Sequence, residues 1–165
     1  MSSILVRRAT HKDLSAIARL GALLLREHYA FDRERFMQPA PDADERYGRF
    51  LVAHLPDPDA LVLVAERDDQ VVGYLYAAIE PRNLKELREE AGFVHDVLVD
   101  QQNRRSGIAE ALLQAALRWM RERGVPRVML WTSPANAPAI RLFTRLGFRS
   151  TMIEMTKELR TEPVS

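Results

Sequence analysis

The stretch that most constrains the fold is "ALVLVAERDDQVVGYLYAAIE", Ala60 to Glu80. Two apolar runs, Ala60–Glu66 and Val71–Glu80, flank a polar turn at Asp68-Asp69, the pattern of a β-hairpin. Neither run alternates cleanly between apolar and polar. A strand that is apolar on both faces must be covered on both faces, so these two belong at the centre of a sheet with layers above and below. The rest of the chain supplies the layers. Thr10 opens a helix with Asp13 three residues on, a near capping box, and Leu14, Ile17, Ala18, Leu20, Leu24 and Leu25 follow at helical spacing to about Tyr29. Ala43–Leu55 repeats the helical period and stops before Pro56. Ile4–Ala9 and Phe93–Asp100 read as strands. The helix from Gly107 carries Ile108, Leu112, Ala115, Ala116 and Trp119 on one face and ends at Gly124 and Pro126. Arg127–Thr132 is a further strand, and Asn136–Gly147 is a helix with an Asn cap and a Gly stop. Phe148–Leu159 alternates as a final strand would. Pro81–Gly92 is a charged connection with room for one helical turn.

The order is strand, two helices, three strands, helix, strand, helix, strand. That predicts a single α/β (α+β) domain on a mixed, mostly antiparallel sheet of about six to seven strands with about four helices. Its bounds are set at residues 1–160, with 161–165 as a frayed tail. A chain of 165 residues with 47% hydrophobic and 28% charged residues has the material for one core. The net charge of +1 makes no demand for nucleic acid or a membrane surface. No cysteine is present, so thiolate nucleophiles and Cys-ligated zinc are excluded, and no His/Asp/Glu cluster has metal spacing. The N-terminus has too short an apolar run for a signal peptide, and a cytoplasmic location is expected.

The chemistry begins at "NRRSGIAEALL", Asn103 to Leu113. A polar loop runs into a single glycine at the head of a helix. Such a start offers unpaired N–H groups and the positive end of the helix dipole, both favourable to phosphate. Gly107 lets backbone approach a ligand, Ala109 keeps the next turn narrow, and Arg104 and Arg105 add charge. It is neither a Walker loop nor a dinucleotide fingerprint. Alone, it is as well explained as a plain strand-to-helix turn.

"Arg104-Arg105-Ser106-Gly107-Ile108-Ala109" resembles the Arg/Gln-x-x-Gly-x-Gly/Ala motif of the GCN5-related N-acetyltransferase (GNAT) superfamily. Asn136 to Phe148 resembles that family's Asn-x-x-Ala-x-x-x-Tyr-x-x-x-Gly-Phe segment, at the usual separation. The resemblance implies splayed central strands and acetyl-CoA as co-substrate, without a metal. Val97, Leu98 and Val99 would meet the pantetheine arm and the oxyanion, Arg104, Arg105, Ser106, Gly107, Ile108 and Ala109 the pyrophosphate, and Asn136 the pantetheine. His95, on the strand next to the thioester, is the leading general base, with Glu80 a second candidate through water. Asp96 is expected on the opposite face by strand alternation, where it would bind a substrate amine or make a structural hydrogen bond.

Phe143 stands where many members carry a tyrosine acid and cannot donate a proton. Ser133, Thr132, Tyr74, Tyr76 or water are open as substitutes, and Tyr74 and Tyr76 read equally as strand packing. His28, Tyr29, Phe31, Phe36 and Met37 form a candidate acceptor wall, with Asp32 or Glu34 meeting an amine. Tyr76 is a further acceptor contact. His11 and His54 read as surface helix residues, Trp119 and Met120 as core. The expected activity is N-acetyl transfer from acetyl-CoA to a primary amine, small-molecule or protein, by direct attack in a ternary complex. A non-catalytic acyl-CoA sensor is the alternative that Phe143 motivates, and an interaction domain that binds no CoA the third. The family leaves a homodimer open.

Overall fold

The computed structural model describes residues 3–159. Five strands form one sheet in the order β1-β2-β3-β4-β5. They are β1 (Leu5–Arg8), β2 (Ala60–Arg67), β3 (Gln70–Glu80), β4 (Ala91–Val99) and β5 (Val128–Leu130). The first three pairings are antiparallel and β4–β5 is parallel. The helices are α1 (Leu14–Phe31), α2 (Ala43–Ala53), α3 (Ile108–Glu122) and α4 (Ala137–Arg145).

The double-sided strands behave as their composition requires. Along β2, Leu61, Leu63 and Ala65 pack against α3 residues Ile108, Leu112, Leu113, Ala116 and Met120. The intervening Ala60, Val62 and Val64 pack against Ile17 and Leu20 of α1 and Leu51 of α2. Each fully buried leucine or isoleucine contributes roughly 2 kcal/mol by leaving water, so the layers need no further cement. The hairpin turn is set by Asp68 and Asp69, both at positive φ (50° and 60°), as a two-residue turn between twisted strands demands. The Thr10–Asp13 capping box forms and leads through a short 3-10 turn into α1.

Two expectations need correction. The sheet has five strands among the described residues, not six to seven, because Phe148–Leu159 forms no strand. Residues 149–159 are all exposed and pair with no strand of their own sheet. Their alternation is real, but a strand also needs a neighbour, and this one has none among the described residues. The Pro81–Gly92 connection has no helix either. Asn83 and Arg88 pair across it by two backbone bonds (2.9 and 3.1 Å), and the Asn83 side chain accepts from the Lys85 and Glu86 N–H groups. The expected frayed tail at 161–165 and the domain bound at residue 160 lie outside the described residues.

Candidate active site

The site is organised by an irregularity in β4. Tyr76 of β3 faces Asp96, but the next residue, Ala77, faces Val94. His95 is therefore the extra residue of a β-bulge. A bulge re-aims side chains and interrupts alternation. His95 and Asp96 consequently share the α1/α2 face, which overturns the expectation that Asp96 faces the other way. His95 stacks between Phe93 (4.7 Å between centroids) and Tyr76 (5.0 Å). The Asp96 carboxylate receives the hydroxyls of Tyr47 of α2 and Tyr74 of β3.

The same position is where the sheet forks. The parallel pairing of β4 with β5 ends at Val94–Leu130. His95 is the first residue past the fork, and from there to Val99 the β4 edge facing β5 is unpaired. The bulge thus sits directly after the last β4–β5 pair, where the splay implied by the family resemblance would open. Val97 lies on this stretch between Asp96 and the buried Leu98 and Val99.

His95 is held by an ionic chain. Its Nε2 lies 2.8 Å from Glu80 Oε1. Glu80 Oε2 accepts from Arg88 Nη2 at 2.7 Å, and the nearly buried Arg88 also donates to Glu86 and to the Pro81 carbonyl. An ionised carboxylate has no proton to give, so the His95–Glu80 bond requires a proton on Nε2. A neutral imidazole then carries its free lone pair on Nδ1. With its side chain 31% exposed, the ring is fixed in tautomer yet open to a ligand.

The glycine turn has the geometry of an anion cradle. Arg105 (φ 60°) and Gly107 (φ 80°) are both left-handed, and Gly107 caps α3 with its Cα facing open space. The first backbone bond within α3 is Ala111 N–H to Gly107 O, so the N–H groups of Ile108, Ala109 and Glu110 precede the helical ladder. The loop is braced from behind. Asn103 accepts from Arg67 and Asp100 pairs with Arg19, while Ser106 donates to the Asn103 carbonyl. The two arginines divide their work. Arg104 turns inward to the Val99 carbonyl (2.9 Å) and Glu27, while Arg105 is exposed and makes no ion pair among the described residues. These features fit a pyrophosphate: backbone donors at a helix start, a backbone that can be approached closely, and one uncommitted cation.

Asn136 caps α4 through its side chain, accepting from Ala139 N–H. Phe143 is buried with the α3-face core and meets Phe148 edge-on at 5.9 Å. At the end of α1, His28 meets Phe31 and Phe36 edge-on (5.7 and 5.1 Å), bringing those two candidates together. Tyr29 instead lies beneath the Arg33 guanidinium. Met120 is core as expected, and Trp119 is partly buried against it.

Sequence reasoning missed three residues. Tyr47 and His54 lie on α2 and at its C-terminal cap, in the stripe Tyr47, Phe50, Leu51, His54. Its i, i+3, i+4, i+7 spacing could have marked them. His54 meets Phe50 edge-on (4.7 Å between centroids) and Tyr76 at a tilt (5.0 Å), and so joins the site's aromatic surface instead of standing alone on the surface. Arg88 was hidden in a charged run, where no local signal separates a buried clamp from solvated neighbours.

Comparison with known proteins settles the family. The acetyltransferase (GNAT) family pattern matches residues 23–148. The chain belongs to the acetyltransferase (GNAT) family. It is an acetyl-CoA-dependent N-acetyltransferase. An N-alpha-acetyltransferase of Sulfurisphaera tokodaii is 34% identical over 153 residues, covering 90% of this GNAT chain and 81% of that protein. A mycothiol acetyltransferase of Acidothermus cellulolyticus is 37% identical over 101 residues, but these cover 56% of this chain and only 31% of that protein. Among solved structures, an aminoglycoside N-acetyltransferase in complex with CoA shares the fold at a TM-score of 0.72 and 19% identity, covering 98% of this chain and 97% of that one. A Bacillus halodurans protein reaches 0.81 at 22% identity, covering 94% and 99%.

Proposed function

We propose that this enzyme acetylates the α-amine at the N-terminus of a polypeptide, in a ternary complex with acetyl-CoA, using His95 as general base. The observation that carries the reading is the placement of His95: past the last β4–β5 pair, with Nε2 bound to Glu80. The thioester lies in the fork, its pantetheine along the open β4 edge at Val97–Val99 and near Asn136, its pyrophosphate on the Arg105–Ala109 turn. The neutral amine attacks the carbonyl carbon, forming the C–N bond while an N–H of β4 near Leu98 holds the oxyanion. The amine proton passes to His95 Nδ1, directly or through one water. The C–S bond breaks and CoA departs as thiolate, which takes its proton from solvent. Phe143 supplies none, and an ordinary thiol with a pKa of roughly 8.5 leaves without a dedicated acid.

Glu80 is the partner that orients the base, and Arg88 holds Glu80 in place. Asp96 serves as a positioning group beneath the bulge, since its carboxylate is taken up by two tyrosine hydroxyls. The acceptor lies against Tyr76, His54 and Phe50 on one side and His28, Phe31 and Phe36 on the other. The similarity to N-alpha-acetyltransferases over nine-tenths of the chain favours a peptide α-amine. The short match to mycothiol acetyltransferases is the observation for a second reading, a small-molecule amine.

The test is CoA release from acetyl-CoA with peptides bearing free or blocked N-termini, lysine side chains, and a panel of small amines. Turnover confined to free N-termini is expected. Turnover of small amines alone overturns the peptide reading. His95→Ala should lower kcat by roughly 100-fold or more while leaving the KM for acetyl-CoA within a few-fold, the usual scale for a lost general base. An unchanged kcat across pH removes His95 from the role.

A further inference from the structure

Two hydrogen-bonding groups beside His95 are used by nothing among the described residues. Tyr76 of β3 stacks on the His95 ring at 5.0 Å and meets His54 at a tilt, also at 5.0 Å. The rings therefore run His95, Tyr76, His54, with at most two such spacings between the imidazoles. Tyr76 is 7% exposed, and its hydroxyl makes no hydrogen bond among the described residues. That hydroxyl still reaches solvent, because the one sealed side-chain atom left unpaired there is Arg67 Nε. Burial first, then the charges of Asp96, Glu80 and Asp57, push the hydroxyl up, so it stays a donor. His54 caps α2, and its Nδ1–H donates at 2.8 Å to the Phe50 carbonyl, one of the last four of that helix. A carbonyl can only accept, so the proton is on Nδ1 and a neutral His54 keeps its lone pair on Nε2. Nε2 has no partner among the described residues.

An open donor thus lies next to an open acceptor, and both lie next to the base. A free polypeptide N-terminus carries the complements in the same order. After the α-amine comes a carbonyl that accepts, then an amide N–H that donates. Two hydrogen bonds of about 2.9 Å, with the short reach from amine to first amide between them, suit two ring spacings. We infer that Tyr76 and His54 read the first amide of the acceptor, a role that rests on the acceptor being a polypeptide: the Tyr76 hydroxyl donates to the first carbonyl, and His54 Nε2 accepts the N–H that follows. The pair is held in place against His95. Tyr47 pins α2 to Asp96 beneath the bulge, and His54, seven residues on, shares its helix face.

The pair separates an α-amine from a lysine side-chain amine. The lysine amine ends a methylene chain and has no amide beside it. Placed at His95, it covers the Tyr76 hydroxyl and His54 Nε2 and leaves both unpaired, which is how a polar site rejects an analogue lacking its polar group. The same assignment takes Tyr76 away from the thiolate. A hydroxyl donated to the acceptor carbonyl is not the acid that Phe143 fails to supply.

The experiment follows CoA release by the full chain with three matched peptides. One has an ordinary first amide, one an ester oxygen in place of its N–H, and one a thioamide sulfur in place of its carbonyl oxygen. The native enzyme should prefer amide over ester by roughly tenfold in kcat/KM, the scale of one hydrogen bond whose partner is otherwise stranded. In His54→Ala the amide-to-ester ratio should fall to near one while the amide-to-thioamide ratio persists. In Tyr76→Phe the amide-to-thioamide ratio should collapse instead. Circular-dichroism melting checks that both variants fold, and the ratios within each variant are insensitive to any lost active fraction. A native enzyme that turns over amide and ester equally overturns the amide-reading pair and leaves the polypeptide acceptor standing. Turnover of small amines and of no peptide overturns both. A Tyr76→Phe enzyme slowed by one factor on all three peptides, with its ratios intact, would return Tyr76 to the role of thiol acid and overturn its part in reading the amide.

Discussion

Two aspartates, one at each end of the α1/α2 layer, are buried to nearly the same degree and treated oppositely. Asp13 and Asp96 are 6% and 8% exposed. Asp13 meets Arg7 through both carboxylate oxygens at 2.8 and 2.9 Å, and takes the Thr10 N–H at 2.8 Å. Those bonds, the Arg7 guanidinium first, hold its carboxyl below the usual range. Among the described residues no cation is bonded to Asp96, whose partners are the Tyr47 and Tyr74 hydroxyls. Burial outweighs those hydroxyls and the nearby His95 and His28, and its carboxyl is pushed up. In turn, burial and the Asp96 charge push the Tyr47 and Tyr74 hydroxyls up, so they remain donors. The difference teaches where this fold accepts an electrostatic cost. A carboxylate that only ties β1 to a helix start is given its counter-charge. The one beneath the base is not, which is the usual mark of a group kept for the site.

The largest break in the comparison is Asp96→Ala. It strands two buried hydroxyls, each costing about 1–3 kcal/mol, so a loss near 3 kcal/mol is expected in urea unfolding. Asp96→Asn separates stability from function. It keeps an acceptor for the tyrosines and removes the buried charge, so stability at pH 7 should change by less than about 1 kcal/mol. If Asp96 positions the bulge, kcat should fall roughly tenfold with the acetyl-CoA KM unmoved, a perturbation of a positioned base. A stability change without a kcat change would make Asp96 a plain core group.

Next in size is Gly21→Ala, which touches neither aspartate. A methyl at Gly21 would overlap the Tyr47 ring, so this glycine is what lets α2 seat its tyrosine on Asp96. Overpacking costs about 2 kcal/mol, and the displaced hydroxyl should lower kcat in the same sense as Asp96→Asn. A variant with lowered stability but unchanged kcat would uncouple Tyr47 from the site.

The contrast between the two aspartates also marks what the sequence can and cannot express. Asp13 was legible because its role is local: Thr10 and Asp13 are three apart, and a capping box is a short-range pattern. The hairpin, the Gly107 turn and the Asn136 cap were legible for the same reason. Asp96 was misplaced because a bulge is a property of two strands in register. Nothing in "FVHDVLVD" says that His95 is the residue β3 skips. Glu80 and His95 were both singled out, but their bond is made across a hairpin, and Arg88 reaches Glu80 only because Asn83 and Arg88 close the loop. The missing sixth strand is the same lesson reversed. The alternation in Phe148–Leu159 is a local pattern, and a strand also needs a neighbour in register, which these residues do not find in the sheet.

Asp13→Asn should be milder than the Asp96 and Gly21 variants. Arg7 is one-third exposed and keeps Glu66, so the lost charge–charge contact is partly replaced by water and the expected cost is about 1 kcal/mol, with kcat within twofold.

The smallest effect carries the sharpest sign. Asp13 is ionised in the fold at pH values where the unfolded chain, near pH 3.9, is already taking up its proton. Its stabilisation is therefore complete above that value and is lost as pH falls through the lower folded pKa. Asp96 does the reverse. As pH rises past about 4 the unfolded chain releases its proton while the fold retains it, so stability declines up to the raised folded pKa and is level beyond. One retained proton sets a ceiling of about 1.4 kcal/mol per pH unit on either slope, and the His95 and His28 charges near Asp96 reduce its share. Urea unfolding from pH 3 to pH 8 should then show Asp13→Asn flattening the acid limb and Asp96→Asn flattening the decline on the other side. If both variants flatten the same limb, the two carboxylates are held alike, and Asp96 loses its distinction as the charge kept uncompensated beneath His95.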